Sequence, residues 1–146
     1  MTKDVILSIK GMQYDISPDE ATEVITPGSY YFKNGKDYIL YDEIVPETGE
    51  KISNTLKISD GRIDLLKRGT DSVHMIFEEK KKNIALYRTP YGVMEVGLNT
   101  FNLNICHSEK LIEAKIHYGL EINAGFVSDC GIDLNIRPKE VTIETE

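Results

Sequence analysis

A two-residue alternation of apolar and polar side chains is the feature that most limits how this chain can fold. Between residues 112 and 122 every second side chain is apolar, and the intervening positions hold charged residues, a histidine or a glycine. A helix starting at Ile112 would need apolar residues at 115, 116 and 119, and only Ile116 meets that requirement. The segment is therefore predicted to be a strand with one buried and one solvated face, as in antiparallel sheets.

Residues 126–136 repeat the alternation. One face of this segment is apolar apart from a single serine, and we expect that face to be buried. Its members are Phe126, Ser128, Cys130, Ile132, Leu134 and Ile136.

Turn signals at short intervals divide the rest of the chain into further strands. Asn34-Gly35 and Asp60-Gly61 each lie between strand-like runs, which predicts two-residue hairpins. Residues 80–83 are predicted to close another hairpin, and a capping-box pattern at 17–20 leaves one helical turn as an alternative there. The predicted strands are 4–13, 20–33, 36–45, 52–59, 62–68, 72–78, 83–89, 92–104, 110–122 and 125–137.

Consecutive strands joined by short turns leave a sheet with two edges, and closing the sheet on itself removes them. We therefore predict an all-β fold, a closed antiparallel up-and-down barrel of about ten strands. A two-sheet sandwich has the same periodicity and is the alternative. The barrel domain is predicted to span 1–138, followed by an acidic C-terminal tail at 139–146.

Composition narrows the function classes. The 146-residue chain carries a net charge of −7, which argues against a nucleic-acid partner because phosphate contacts need clustered Lys and Arg. Its first apolar run, residues 5–7, is too short for a signal peptide, and no stretch approaches the roughly 18 apolar residues of a membrane helix. We expect a cytoplasmic protein that does not bind membranes. Cys106 and Cys130 are then predicted to be buried thiols without a disulfide.

Known catalytic and cofactor motifs do not occur in the sequence. The stretch from Gly28 to Lys36 resembles a phosphate-binding loop, but six residues separate its glycines instead of four, and Asp37 stands where a hydroxyl is needed. The three histidines are scattered: His117 is predicted on a solvated face and His107 in a turn. The sequence therefore predicts neither a cofactor nor a metal.

One set of polar residues could line a barrel cavity. Ile84, Leu86 and Arg88 share a face, and if the apolar pair points inward the arginine does too. A buried arginine must be paired, either in a structural ion pair or with an anionic ligand that its bidentate fork recognises. The candidate ligand-binding residues are Arg68, Arg88, Glu43, Tyr41, Tyr31 and Tyr91.

Two functions follow from these features. The first is the binding of a small molecule, an anion among the candidates, inside the barrel. The second is protein interaction without catalysis, through the exterior of the long strands at 92–104, 110–122 and 125–137; a homodimer would be its simplest form. A third and weaker hypothesis is an enzyme that uses Glu43 as an acid or base, because no sequence motif identifies a nucleophile.

Several stretches in sequence order resemble the YwiB-like family of Gram-positive bacteria. They are GSYYFKNGKDYILYDE, LKISDGRIDLLKRG, HMIFEE, ALYRTPYGVMEV and KIHYGLEINAG. This resemblance implies a calycin-like, or lipocalin-like, closed barrel in a cytoplasmic protein, and it assigns no catalytic residue. The chain has no Trp and so lacks the lipocalin Gly-x-Trp motif. The positions that match the family pattern are Tyr30, Tyr31, Gly35, Tyr38, Tyr41, Glu43, Arg68, Gly69, Tyr87, Tyr91, Gly92 and Tyr118.

Overall fold

The computed structural model describes the backbone of residues 3–13, 17–69 and 72–139 and, except at 13 and 17–21, their side chains. The acidic tail predicted at 139–146 lies outside these residues apart from Lys139. The strands are β1 (Asp4–Gln13), β2 (Ser17–Lys33), β3 (Lys36–Ile44), β4 (Lys51–Ser59), β5 (Arg62–Arg68), β6 (Ser72–Glu78), β7 (Lys81–Thr89), β8 (Gly92–His107), β9 (Ile112–Ile122) and β10 (Gly125–Pro138). The described part of the chain contains no helix long and apolar enough to cross a membrane.

All ten strands belong to one antiparallel sheet in the order β6-β5-β4-β3-β2-β1-β10-β9-β8-β7. Its two terminal strands, β6 and β7, lie against each other, so the sheet forms a nearly closed barrel. The predicted all-β antiparallel barrel is confirmed. Because the sheet is continuous, the two-sheet alternative does not apply.

The junction between β6 and β7 differs from the hairpin predicted at residues 80–83. β6 pairs with β5 and β7 pairs with β8, and no ladder joins β6 to β7 in the described ranges. Lys80 adopts a positive φ of 62°, and its N–H donates to the Thr100 carbonyl at 2.8 Å, which directs the chain onto β8. Side chains bridge the junction instead, as where the Tyr87 hydroxyl lies 3.3 Å from the Met75 sulfur.

Two other local predictions are corrected by the strand boundaries. Residues 17–20 belong to β2 and form no helical turn. His107 is the last residue of β8 and does not lie in a turn. The hairpin at Asn34-Gly35 is confirmed: both residues have positive φ, 54° and 74°, as a two-residue turn with the right-handed strand twist requires.

The inward-facing positions of the strands form one continuous core. Ile112, Ala114 and Ile116 of β9 are buried as the alternation predicts. They lie directly opposite Ile136, Leu134 and Ile132 of β10. Other fully buried side chains are Val5, Leu7, Ile39 and Ile63.

β-Bulges move Phe126 off the face predicted for it. The register of β10 shifts between Phe126 and Ser128, and that of β8 shifts between Thr100 and Asn102. Each bulge adds one residue to its strand, so Phe126 lies outside, 62% exposed, although Ser128 and Cys130 are buried. A Cβ at Gly119 would lie 3.2 Å from Phe101 and 3.7 Å from Phe126, so this glycine makes room for both rings.

The outer face of β7 carries the residues that were expected inside. Ile84 and Leu86 are 55% and 58% exposed and Arg88 is exposed, whereas Ala85 is buried. The prediction that Arg88 points inward is therefore wrong. Alternation identifies which residues share a face, but on this edge strand the face with the larger apolar side chains is the solvated one. Cys106 is likewise exposed, contrary to prediction, and Cys130 is buried.

Candidate functional site

Polar side chains gather at both ends of the barrel interior. The hairpin end carries the turns at 34–35 and 60–61, and the loop end carries the connections at 45–50 and 90–91. Because β3 runs from the hairpin end to the loop end, its inward residues reach both clusters: Asp37 lies near the first end and Glu43 near the second.

At the hairpin end, Asp37 is contacted by one side chain from a neighbouring strand and by one from a strand that is not its neighbour in the sheet. The Tyr30 hydroxyl donates to Asp37 Oδ1 from the adjacent strand β2. His107 Nε2 lies 3.1 Å from the same oxygen. β2, β1, β10 and β9 separate β3 from β8 in the sheet, so the His107 contact joins two walls of the barrel that are not neighbours. Asp37 is only 5% exposed, whereas His107 reaches solvent.

Burial keeps the Tyr30 hydroxyl protonated, so it acts as a hydrogen-bond donor in this cluster. Desolvation raises the pKa of the Tyr30 hydroxyl, and the hydrogen bond to Asp37 and the charge of that carboxylate raise it further. The phenol therefore stays protonated at physiological pH and holds the carboxylate in place.

A cavity of about 580 Å³ opens beside this cluster at the hairpin end. Its polar lining includes Asp37, His107 and Asp60. Its apolar lining is contributed by Phe32, Ile58, Leu103 and Ile105. This volume lies within the range of about 300–1,000 Å³ found for small-molecule pockets, and the lining combines apolar and polar side chains.

At the loop end, Glu43 accepts two hydrogen bonds on one oxygen. Lys67 Nζ and Asn54 Nδ2 each lie 2.8 Å from Glu43 Oε1. Burial raises the pKa of the Glu43 carboxyl, but the hydrogen bonds from Lys67 and Asn54 and the Lys67 charge outweigh it, so the pKa falls below its usual value. Burial and the Glu43 charge both raise the pKa of Tyr41. The Asn54 Oδ1 atom is buried and has no hydrogen-bond partner among the residues described.

A third cluster lies on the outer face of β5 and β6. Arg62 donates from Nε and Nη2 to the two oxygens of Asp64 at 2.7 and 2.9 Å, and His74 Nε2 lies 2.7 Å from Asp64 Oδ2. Asp64 is 1% exposed because these side chains cover it. The hydrogen bonds of Asp64 go to side chains of the same cluster, and we assign the cluster a structural role.

The six predicted ligand-binding residues do not converge. Glu43 and Tyr41 face the interior at the loop end. Arg68 and Arg88 are exposed on strand faces that point outward. Tyr31 is outside, with its ring 5.6 Å from Lys3 Nζ, and Tyr91 is 99% exposed in a turn.

Sequence reasoning missed Asp37 and His107 of the hairpin-end cluster as site residues and named Tyr30 only as a position of the family pattern. The inward orientation of Asp37 could have been predicted from the alternation. It lies two residues before Ile39 and so shares the inward face of Ile39, Tyr41 and Glu43. His107 carries no such signal, because its partner lies 70 residues away. Groups of three or more His, Cys, Asp or Glu side chains able to hold a metal ion do not occur in the described ranges.

Comparison with known proteins identifies relatives of the whole barrel. Residues 7–134 match the model of a domain of unknown function, DUF1934. The uncharacterised β-barrel protein YwiB of Bacillus subtilis (strain 168) is 25% identical over 118 residues, which are 81% of this chain and 82% of that protein. The crystal structure of the B. subtilis YwiB protein matches with a TM-score of 0.76 at 22% identity, over 94% of this chain and 93% of that one. This structural likeness supports the fold.

Proposed function

This chain belongs to the DUF1934 family of β-barrel proteins, and from that premise we propose that it binds a small molecule inside the barrel, in the hairpin-end cavity. The observation that carries the proposal is the buried Asp37 carboxylate, held by Tyr30 and His107 at the wall of a 580 Å³ cavity. Ligand sites typically combine apolar walls with a few fixed polar groups. This end of the barrel has both.

The placement of His107 supports a binding role over a purely structural one. A contact that only braced the barrel would be best made in the core, yet His107 stands at a strand end with its ring partly in solvent. Its Nε2 is engaged by Asp37, which fixes the ring orientation and directs the remaining ring edge away from Asp37. Tyr30, Asp37 and His107 thus form a preorganised polar wall.

Filling the cavity is expected to abolish ligand binding. Ile105→Trp adds an indole where the cavity has room, and Ile105→Val is the matched control that leaves the cavity open. We expect some class of metabolites in a thermal-shift screen to raise the melting temperature of the wild type and of Ile105→Val, because ligands stabilise the state they bind. We expect no such rise for Ile105→Trp.

Two outcomes would count against this site. If no metabolite class stabilises the wild type, the proposed function fails. If Ile105→Trp responds as the wild type does while Glu43→Gln loses the response, the ligand binds at the loop end and the hairpin-end assignment is wrong.

A second candidate function is association with another copy of this chain through the outer face of β7 and β8. Ile84, Leu86 and Val93 expose more than half of their surface there. Arg88 lies directly opposite Val93, and Glu95 lies opposite Leu86. A two-fold axis through this patch would bring Arg88 of each copy toward Glu95 of the other, so the patch is self-complementary.

A charge in the middle of this patch is expected to prevent association. Sedimentation of the wild type should show a dimer at micromolar concentration, and Leu86→Glu should be monomeric. Because Leu86 is largely exposed in the single chain, the variant should stay folded and melt below the wild type only by the stabilisation that association provides. Arg88→Glu, which keeps the apolar patch, should weaken the dimer, and Arg88→Glu combined with Glu95→Arg should restore it. A wild type that stays monomeric up to the highest soluble concentration would contradict this second candidate.

A further inference from the structure

The charges around the hairpin-end cavity are unbalanced. Two carboxylates, Asp37 and Asp60, line it, and His107 is its only basic side chain among the described lining residues. Lys and Arg are absent from that lining. The two arginines that would have suited an anionic ligand, Arg68 and Arg88, lie on the outer surface instead. A ligand in this cavity therefore meets a negative field.

Burial strengthens the field that Asp37 exerts. The residue is 5% exposed, so little water screens its carboxylate. The hydroxyl of Tyr30 and the imidazole of His107 both contact Oδ1. The protonated Tyr30 hydroxyl is neutral, so it stabilises the Asp37 charge without cancelling it. A cationic donor close to the carboxylate would be attracted more strongly than a neutral one.

The apolar walls of the cavity favour a ligand that has a hydrocarbon body. Ile58 and Leu103 are buried, Ile105 is partly buried, and all three face the cavity. Phe32 contributes an aromatic ring, 64% exposed, at the mouth. Aromatic faces attract cations, so Phe32 adds to the preference set by the carboxylates.

Resting on the proposed function of this cavity, we infer that its ligand is an organic monocation, an amine with an apolar body. The ammonium group lies toward Asp37, and the hydrocarbon packs between Ile58, Leu103 and Ile105. Carboxylates of the same size are rejected, because the cavity offers them a like charge and no lysine or arginine.

The test uses three probes that share one hydrocarbon body: phenylpropylamine, phenylpropanol and phenylpropanoate. The affinity of the wild-type protein for each probe is measured by calorimetric titration at one fixed pH of about 8, at which the amine is cationic and the carboxylate anionic. We expect the amine to bind at least about tenfold more tightly than the alcohol, a difference typical of one favourable charge contact. We expect the carboxylate to bind more weakly than the alcohol.

Variants then locate the source of the preference. Asp37→Asn keeps the size of the side chain and an oxygen for Tyr30, and should reduce the affinity for the amine to that for the alcohol while leaving the alcohol unchanged. Asp42→Asn, on the outer surface, is the control and should change neither. If Asp37→Asn fails to fold, the ranking of the three probes by the wild type still decides the inference.

The outcomes distinguish an error in the ligand class from an error in the proposed function. Tighter binding of the carboxylate or the alcohol than of the amine overturns the inference and leaves the proposed function standing. An amine preference that survives in Asp37→Asn also overturns it, since the attraction then comes from elsewhere. If none of the probes and no metabolite class binds, the proposed function itself fails.

Discussion

Ile39→Ala is expected to lower the free energy of unfolding by about 3 kcal/mol, within the range seen when a large aliphatic side chain is removed from a packed core. Ile39 is fully buried at the centre of β3, directly opposite Tyr30 on one side and Leu56 on the other. All three residues belong to the same core cluster. Strands on both sides hold the site in place, so the cavity left by the substitution can collapse only partly. Urea unfolding monitored by tyrosine fluorescence would measure the change.

The next residue in the chain is the matched control. Leu40 lies on the outer face of β3 and is 41% exposed, so Leu40→Ala should cost less than about 1 kcal/mol. The two substitutions remove nearly the same side-chain atoms, but from opposite faces of β3. Equal costs for the two substitutions would show that β3 does not present Ile39 to a packed interior.

Most of the fold could be predicted from the sequence, because strands and tight turns depend on residues that are close together in the chain. Alternation in residues 112–122 places Ile112, Ala114 and Ile116 in the core, and the positive-φ pair Asn34-Gly35 closes its hairpin as predicted. Each of these features depends on residues only a few positions apart. Sequence patterns of period two and turn propensities are sufficient to find them.

The sequence could not settle which face of a strand lies inside when both faces are partly apolar. In β7, Ile84 and Leu86 outweigh Ala85 in hydrophobicity, yet Ala85 faces the core opposite Val96. The orientation is set by pairing with β8, which lies beyond the strand itself. Arg88 follows its neighbours to the outside for the same reason.

The candidate site escaped prediction for a related reason: it is built from distant parts of the chain. Asp37 and His107 meet across the barrel only after the sheet has rolled, and neither residue lies in a recognisable motif. Glu43 was identified, but its cation is Lys67 of β5 and not one of the predicted arginines. Local alternation indicates that a polar residue points inward, whereas its partner depends on barrel tilt and register.

The outer cluster around Asp64 should make stability fall as the solution becomes acidic. Burial raises the pKa of the Asp64 carboxyl, but the hydrogen bonds from Arg62 and His74 and their charges lower it more, so the pKa lies below its usual value. A carboxyl whose pKa is depressed by folding stabilises the folded state above its unfolded pKa of about 3.9. That contribution is lost as the pH drops through this value toward the folded pKa. Below both values the protonated carboxyl contributes nothing.

Asp64→Asn is therefore expected to lower the free energy of unfolding by about 2 kcal/mol at neutral pH, the size of a charge-assisted hydrogen-bond pair whose cations stay partly solvated. The loss should shrink as the pH is lowered below about 4, because the wild-type carboxyl becomes neutral as well. The Glu43 carboxyl, whose partners are Lys67 and Asn54 outside this cluster, titrates in both proteins and cancels in the difference. Denaturant titrations of the two proteins from neutral to acidic pH would measure that difference directly.

Asp42→Asn is the control that tests whether the effect of Asp64→Asn depends on the burial of the carboxylate. Asp42 also faces a cation, with Lys51 Nζ at 3.5 Å, but both side chains are more than half exposed. Its loss should change stability by less than about 0.5 kcal/mol at any pH, because solvent screens such a pair. If Asp64→Asn proves equally mild, or if its effect stays constant from neutral pH to the acid range, the Arg62–Asp64–His74 contacts do not stabilise β5 and β6 in the way their geometry indicates.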